Sequence, residues 1–209
     1  MTRSAGAVLG STGAISVATA ANRIGALPVR LVAGSPQAFQ SGRFWLLGTS
    51  VLVADRPAVA SIAGFAVVGL AAIALCGARV AWIAGVSGHV LSAALVYAAI
   101  VLARLDDPTA FHSVFSVADY GTSAVIAAWI GAVAYRLWAR DARLLAVSLC
   151  AAAGLIGWLF MGSLSVLDVE HAVALACGVA AMRAASILST RSVARDSRRR
   201  RLPAPDLAG

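Results

Sequence analysis

The sequence predicts an all-α, polytopic membrane protein: a bundle of five to six transmembrane helices. The 209 residues are 60% hydrophobic and only 12% charged, which is too apolar for a soluble domain. The apolar residues also come in long blocks and not in amphipathic stripes. A bilayer core about 30 Å thick needs roughly 20 helical residues, and several uncharged blocks reach that length.

Residues 1–56 are predicted to form a weak first span followed by an interfacial segment. Ser4–Asn22 is uncharged but rich in Gly, Ser and Thr, so it is a marginal span, and a signal peptide is the alternative. Phe44–Ala54 is apolar but too short to cross a bilayer, and Arg43 and Asp55 bound it. We therefore expect an interfacial or re-entrant piece there.

Residues 57–190 are predicted to be the transmembrane core. Its five expected spans, each apolar over most of its length, are Ala58–Ala78, Val80–Ala103, Ser116–Trp138, Leu144–Leu167 and about 166–190. The last span contains Arg183 near one end, where a long side chain can reach the membrane surface.

The charge distribution predicts the orientation of the bundle in a plasma membrane. The net charge is +8, and all 17 basic residues are Arg. Residues 191–209 are predicted to be a disordered basic tail. A basic run beside a membrane helix is typical of the cytoplasmic side and of contact with anionic lipid; no nucleic-acid partner is predicted. Arg79 and Arg136 then fall inside as well, whereas Arg23 and Arg30 do not fit this rule.

Two polar residues lie near the same end of their own spans. Ser123 is expected roughly 10 Å below the membrane surface, and His171 roughly 5–8 Å below it, from the helical rise per residue. Each residue heads a predicted face of small residues, which allows close helix packing. These faces are Ser123, Ala127 and Gly131 on one helix, and His171, Ala174 and Gly178 on the other.

A serine and a histidine at matching depth suit nucleophilic catalysis. A serine hydroxyl attacks only when a base removes its proton, and an imidazole is such a base. Gly121 allows a tight turn before the serine helix, whose first N–H groups can face an oxyanion. Three acidic residues are predicted to line a wet mouth above the site: Asp119, Asp168 and Glu170.

These two stretches resemble the rhomboid family of intramembrane serine proteases. The family carries Gly-x-Ser-Gly on its fourth helix, and here Gly121-Thr122-Ser123-Ala124 stands in that place. The sixth-helix pattern of Ala-His-x-x-Gly-x-x-x-Gly is matched loosely by Glu170-His171-Ala172-Val173-Ala174 and Gly178. The likeness is greatest to divergent rhomboid-like proteins of high-GC bacteria.

The resemblance implies a rhomboid-like bundle that cleaves transmembrane substrates. Ser123 would be the nucleophile and His171 the general base, with Gly121, Thr122 and Ser61 supporting the oxyanion, and no cofactor or metal is implied. The family's second-helix His and Asn donors are missing from 59–64, where Ser61 offers one hydroxyl. Two alternatives therefore stay open: an inactive rhomboid-like pseudoprotease that binds transmembrane segments, and a small-solute transporter or channel.

Other polar residues in the spans also have structural interpretations. His89 lies in mid-span, where Ser92 and Tyr97 complete a possible polar network. Asp119 lies one helical turn before Ser123, so it is expected to cap the helix or to orient His171. The three cysteines predict neither a disulfide framework nor a metal site, and we expect them to act as small apolar packing residues.

Overall fold

The computed structural model describes the backbone of residues 2–161 and 166–200, with side-chain surroundings for 3–155 and 168–189. In the described chain the helices are α1 Thr2–Arg23, α2 Pro36–Gln40, α3 Leu46–Thr49, α4 Ala58–Cys76, α5 Ala78–Asp106, α6 His112–Phe115, α7 Ser123–Trp138, α8 Arg143–Met161 and α9 Val166–Arg200. These same residues contain no strand, only an isolated antiparallel bridge between Gly34 and Asp119. The predicted all-α class is confirmed.

Four described helical stretches are long and apolar enough to cross a membrane: Arg3–Arg23, Ala58–Cys76, Ala78–Asp106 and Asp168–Ser189. Two shorter apolar stretches accompany them, Ser123–Trp138 and Arg143–Leu155. Many large apolar side chains on these helices are exposed, among them Val67, Leu95 and Leu188. An aqueous surface would not favour so many exposed apolar groups, so the architecture is that of an integral membrane helix bundle.

The weak first span is one continuous helix. Its polar side chains return hydrogen bonds to their own backbone: Thr12 Oγ1 donates to the Val8 carbonyl and Ser16 Oγ to the Thr12 carbonyl, each at 2.8 Å. Such bonds satisfy hydroxyl groups without water. Thr19 Oγ1 also accepts from the Ala54 N–H at 2.9 Å, which fixes α1 to the segment before α4.

The apolar piece Phe44–Ala54 does not form a spanning helix. It folds as α3 and a 3₁₀ turn over Ser50–Leu52, and α3 packs against α5. Leu46 and Val53 are buried, whereas Trp45 is exposed. The segment packs against the middle of α5, where Ser50 Oγ lies 3.0 Å from His89 Nε2.

The break between α4 and α5 is a single residue, Gly77. Its φ of 86° is a backbone conformation that side chains rarely permit. The predicted boundary between the second and third spans is therefore close to the observed one, because glycine is the residue that can reverse the chain there.

The helix α7 is the centre of the bundle, since it packs against α4, α5, α8 and α9. Its residue Trp129 is 1% exposed and donates from Nε1 to the Ala81 carbonyl at 2.7 Å. The Trp129 ring lies 4.8 Å from the Phe65 ring, and the glycines Gly69 and Gly85 leave room for it. One indole thus joins three helices.

The contact between α7 and α9 is the closest approach of the bundle that the structure describes. A methyl group built on Gly131 would overlap the Leu175 carbonyl oxygen, and one built on Gly178 would overlap the Ala128 carbonyl oxygen. The two backbones therefore touch directly. Small residues permit this approach, and van der Waals contact is a main source of helix association in lipid.

Two predicted boundaries are wrong. The fourth span was expected from Ser116, but α7 begins at Ser123, because the preceding residues pair with other parts of the chain and Gly121 has a φ of 138°. Disorder was expected from residue 191, but α9 continues through Arg200. Arginine favours helix, and the first proline after Arg191 is Pro203, which lies with 201–209 outside the described residues.

Candidate functional site

The helix α5 runs antiparallel to both α7 and α9. Along α5, Ser92 pairs with Glu170 of α9, and Ala84 lies in one buried cluster with Met182 of α9. Residue numbers therefore rise along α9 as they fall along α5, which means that these two helices run in opposite directions. The same holds for α7, since Gly88 approaches Ala128 while Ala84 packs with Ala132 in that buried cluster. Consequently α7 and α9 are parallel.

Ser123 and His171 lie at similar depth on these parallel helices. A methyl group on Gly88 would contact both Ala128 of α7 and the Ala174 carbonyl of α9, so these two residues share one level. Ser123 precedes Ala128 by five residues and His171 precedes Ala174 by three, which is about 7.5 Å and 4.5 Å of helix. The two side chains are half-buried at the same end of the bundle.

The two side chains are not hydrogen-bonded to each other. Among the hydrogen bonds of the described residues, none joins Ser123 Oγ to the His171 ring. The carboxyl groups of Asp119, Asp168 and Asp55 all lie within electrostatic range of that ring. The imidazole therefore has acidic neighbours at the end of the bundle where α7 begins.

The residues that pack most tightly between α7 and α9 are neighbours of Ser123 and His171, and not these two residues themselves. On α7 the buried residues facing α9 are Ala124 and Ala128, with Ala127 only partly buried. On α9 the buried stripe is Glu170, Ala174, Gly178 and Met182. Gly131, Ala174 and Gly178 lie in the contact, but at this end the buried residues are Ala124 and Glu170, so Ser123 and His171 flank it.

Ser123 is the first residue of α7, and a network of backbone bonds holds the turn before it. The Gly121 N–H donates to the Ser50 carbonyl at 3.0 Å. Thr122 is fully buried, and its hydroxyl donates to the Ser61 carbonyl at 3.3 Å. The first N–H groups of a helix have no carbonyl partner within it, so the amides that follow Thr122 are suited to bind an anion.

Asp55 is a site residue that the sequence analysis missed. Its Oδ1 accepts a hydrogen bond from Ser61 Oγ at 2.5 Å, and its carboxyl lies against Gly121. Asp55 was considered only as the boundary of an apolar segment. Nothing in the local sequence indicates that the chain returns to the start of α7. The hydroxyl of Ser61, predicted to support the oxyanion, is committed to this carboxylate.

Asp119 does not cap α7, contrary to prediction. The residue before the helix is Thr122, whose side chain makes no capping bond. Asp119 exchanges backbone hydrogen bonds with Gly34 at 2.9 and 2.8 Å, and its carboxylate accepts a bond from the Tyr97 hydroxyl. The aspartate therefore ties α5 and the Gly34 loop to the start of α7.

The His89 ring is hydrogen-bonded to Ser50, and not to Ser92 or Tyr97, the partners that the sequence suggested. Its Nε2 lies 3.0 Å from Ser50 Oγ, and Ser92 Oγ donates to its carbonyl at 3.2 Å. His89 is 6% exposed, and its Nδ1 has no hydrogen-bond partner among the described residues. The ring also forms part of the wall of an apolar cavity of about 220 Å³ between α1, α4 and α5.

Glu170 is buried, although it was expected at a wet mouth. The side chain is 4% exposed, and its Oε1 lies 3.5 Å from Ser92 Oγ. Its carboxyl group also lies within electrostatic range of Asp119. The sequence shows that Glu170 and His171 are adjacent, but only packing decides which of the two faces inward.

Comparisons with protein-family models, curated proteins and solved structures gave no match. The site is therefore interpreted from its own geometry. Within the described parts of the chain, no group of three His, Cys, Asp or Glu residues is arranged to hold a metal ion, and Cys76, Cys150 and Cys177 are free. What this end of the bundle offers is a hydroxyl, imidazoles, carboxyls and unpaired helix amides.

Replacing Gly121 with alanine should destabilise the fold by about 1–3 kcal/mol, because the residue is at φ 138° and its new Cβ would lie 3.0 Å from Asp55 Cγ. The midpoint of denaturant unfolding in detergent measures this effect. Gly42→Ala is the matched control, since Gly42 has a φ of 78° but open space around it. Equal losses in the two variants would show that the Asp55 contact has no influence.

Proposed function

We propose that the chain is an intramembrane serine protease with a rhomboid-like bundle. Ser123 is its nucleophile and His171 its general base. What supports this proposal is one observation: α7 and α9 run parallel in backbone contact, and these residues lie about one helical turn or less apart in depth at the same end. Among the described residues, no other serine and histidine lie on two such helices at matched depth.

In the proposed reaction an unwound segment of a transmembrane substrate enters at the start of α7. His171 removes the Ser123 proton as Oγ attacks the scissile carbonyl, and the same imidazole then protonates the leaving amine. The resulting acyl-enzyme is hydrolysed by water that His171 activates. The N–H groups of the first turn of α7 stabilise the oxyanion. No cofactor takes part.

Ser123 and His171 are not hydrogen-bonded in the resting chain, so substrate binding has to bring the two side chains together. The imidazole must turn toward Ser123 Oγ before it can take a proton. Catalytic hydrogen bonds are often long without substrate and tighten in the complex. His171 is half-buried beside the α7–α9 contact, and in the proposed mechanism its side chain rotates toward Ser123 when substrate binds.

The proposal also assigns an orientation. On this view the protein lies in a bacterial plasma membrane with its C-terminus in the cytoplasm, where the Arg-rich end of α9 contacts anionic lipid. The site then opens away from the cytoplasm, and its clients are transmembrane segments.

A fluorophosphonate probe tests the nucleophile. We expect the folded protein in detergent to be labelled, and Ser123→Ala to reduce labelling at least 100-fold, because only an activated serine reacts. His171→Asn should act similarly, since the base is lost. The matched controls are Ser148→Ala, an exposed serine on α8, and His112→Asn, an exposed histidine on α6; both should label like wild type.

Labelling that persists in Ser123→Ala would place the reactive serine elsewhere and end the assignment. A complete lack of labelling in a wild-type sample that unfolds cooperatively would reject the protease. The enzyme also requires that a transmembrane peptide substrate be cut by wild type and not by Ser123→Ala.

A second function has one specific observation in its favour. The Ser61 hydroxyl already donates to Asp55 at 2.5 Å, so the side-chain donor expected for the oxyanion is occupied. A pseudoprotease would keep the bundle and bind transmembrane segments without cutting them. It predicts that a fluorescent transmembrane peptide in bicelles binds the wild type and Ser123→Ala equally well and stays intact with both.

A further inference from the structure

We propose that the cavity beside His89 is a binding site for a lipid-soluble phenol, whose hydroxyl group donates a hydrogen bond to His89 Nδ1. The cavity has a volume of about 220 Å³ and lies between α1, α4 and α5, with residues of α3 and α7 also in its wall. Ser123 and His171 do not line it, so this inference does not rest on the proposed hydrolase activity.

The mouth of the cavity opens toward the lipid. Three wall residues are exposed on the outside of the bundle, one each from α1, α3 and α5: Ala14, Gly48 and Val86. Ala14 and Val86 lie well inside helices that are long and apolar enough to cross a membrane. A ligand that enters between them comes from the bilayer, so it must be an uncharged and largely apolar molecule.

The interior of the cavity suits a single ring. Ile15, Phe65 and Val125 line it as buried apolar side chains. The rings of Phe65 and Trp82, which both line the cavity, lie 4.8 and 6.2 Å from the Trp129 ring, and this packing holds them in place. Aromatic side chains favour a further ring in edge-to-face or offset contact. Since an apolar cavity of about 150 Å³ can hold benzene, the space here accommodates a ring with small substituents.

His89 supplies the most deeply buried polar group of the wall. Its side chain is 6% exposed, and its ring lines the cavity. Nε2 lies 3.0 Å from Ser50 Oγ, whereas Nδ1 makes no hydrogen bond to a described residue. A buried polar atom without a partner is costly. A hydrocarbon such as a lipid acyl chain would fill the cavity but leave Nδ1 unpaired, so the cavity favours a ligand with a hydrogen-bonding group.

The hydrogen bonds of Ser50 indicate which kind of group the ligand carries. Ser50 has a single hydroxyl proton, and its Oγ donates to the Leu47 carbonyl at 3.3 Å. The same oxygen then accepts from His89 Nε2, which assigns the proton of the neutral imidazole to Nε2 and makes Nδ1 an acceptor. The matching ligand group is a donor. A hydroxyl on an aromatic ring meets this requirement, whereas a quinone or an ether only accepts.

Saturable quenching of tryptophan fluorescence tests the site, because a bromine atom on a bound ring would lie close to Trp82 in the cavity wall. The full-length protein in detergent is titrated with 4-bromophenol and with 4-bromoanisole, in which a methyl ether replaces the hydroxyl. We expect saturable quenching by 4-bromophenol and about 10-fold weaker binding of 4-bromoanisole, the factor that one buried hydrogen bond supplies. Trp82→Phe should remove the saturable component.

Three variants test the assigned residues. His89→Gln keeps an amide near the position where Nε2 meets Ser50 but has no atom in place of Nδ1, so it should bind 4-bromophenol about 10-fold more weakly. Ala14→Phe should fill the mouth and block both compounds. Ala20→Phe is the matched control, since Ala20 is an exposed alanine of α1 outside the cavity wall, and it should bind like wild type. Unfolding followed by circular dichroism verifies that each variant is folded.

Equal affinity of wild type for the two compounds would overturn the proposal, because the cavity would then be a site for hydrocarbon only. Quenching that rises linearly without saturation would overturn it as well, since this is the result of partition into the micelle. Both outcomes need only the wild-type protein and are independent of how well a variant folds. Unchanged binding by folded Ala14→Phe would place the phenol elsewhere on the protein.

Discussion

Replacing Gly178 with alanine should separate α7 from α9 and destabilise the bundle by about 1–3 kcal/mol or more. The added methyl group would overlap the Ala128 carbonyl oxygen, which is backbone and cannot rotate away. The helices would have to move apart along their whole contact. Because packing contact is what holds helices together in lipid, no hydrophobic gain offsets that movement.

The measurement is the unfolding of helical structure in mixed detergent–SDS micelles, followed by circular dichroism. Gly154→Ala is the matched control, since Gly154 lies in α8 with nothing within 4 Å of the position of its Cβ. That variant should be neutral or gain about 0.5–1 kcal/mol, because alanine favours helix over glycine. If Gly178→Ala behaves like Gly154→Ala, the backbone contact described above does not exist in the protein.

Replacing Trp129 with alanine should cost about 3–5 kcal/mol, the usual range for removing a buried tryptophan. The indole fills the space left by Gly69 and Gly85 and packs on Phe65 at 4.8 Å. It also donates to the Ala81 carbonyl at 2.7 Å. Its loss leaves a cavity where α4, α5 and α7 meet, and these backbones are too closely packed elsewhere to collapse into it.

Two further variants define the origin of this effect. Trp138→Ala is the control, since Trp138 is 48% exposed at the end of α7 and should cost well under half as much. Trp129→Phe keeps a ring but removes the hydrogen bond, so it should lose about 0.5–1.5 kcal/mol for that bond in addition to a smaller cavity term. Similar losses for Trp129→Ala and Trp138→Ala would contradict a core role for Trp129.

The helices that the sequence predicts well are those whose ends are marked locally. The uncharged runs of α4 and α5 and the glycine between them fix three boundaries without any knowledge of the fold. The start of α7 was misplaced because Asp119 pairs with Gly34 and Tyr97, which are distant in sequence. A long-range pairing leaves no local signal.

The sequence predicts the depth of the candidate residues along their helices, but not which side chains face the neighbouring helix. Counting residues along two spans places Ser123 and His171 at one end, because helical rise is constant. The facing residues were harder to predict, since small residues occupy neighbouring positions on both helices. Ala124 and Ser123 are equally compatible with a packing face, as are Glu170 and His171, and only the angle at which α5, α7 and α9 meet selects the buried member of each pair.

The one-residue junction at Gly77 bears on how the chain is made. Because no hydrophilic spacer lies between Cys76 and Ala78, two apolar helices emerge from the ribosome one directly after the other. They must partition into lipid as a single hairpin, and neither can be translocated alone. A reporter or glycosylation tag inserted at this junction would therefore disrupt biogenesis, whereas the exposed residues 107–109 that follow α5 offer a natural position for one.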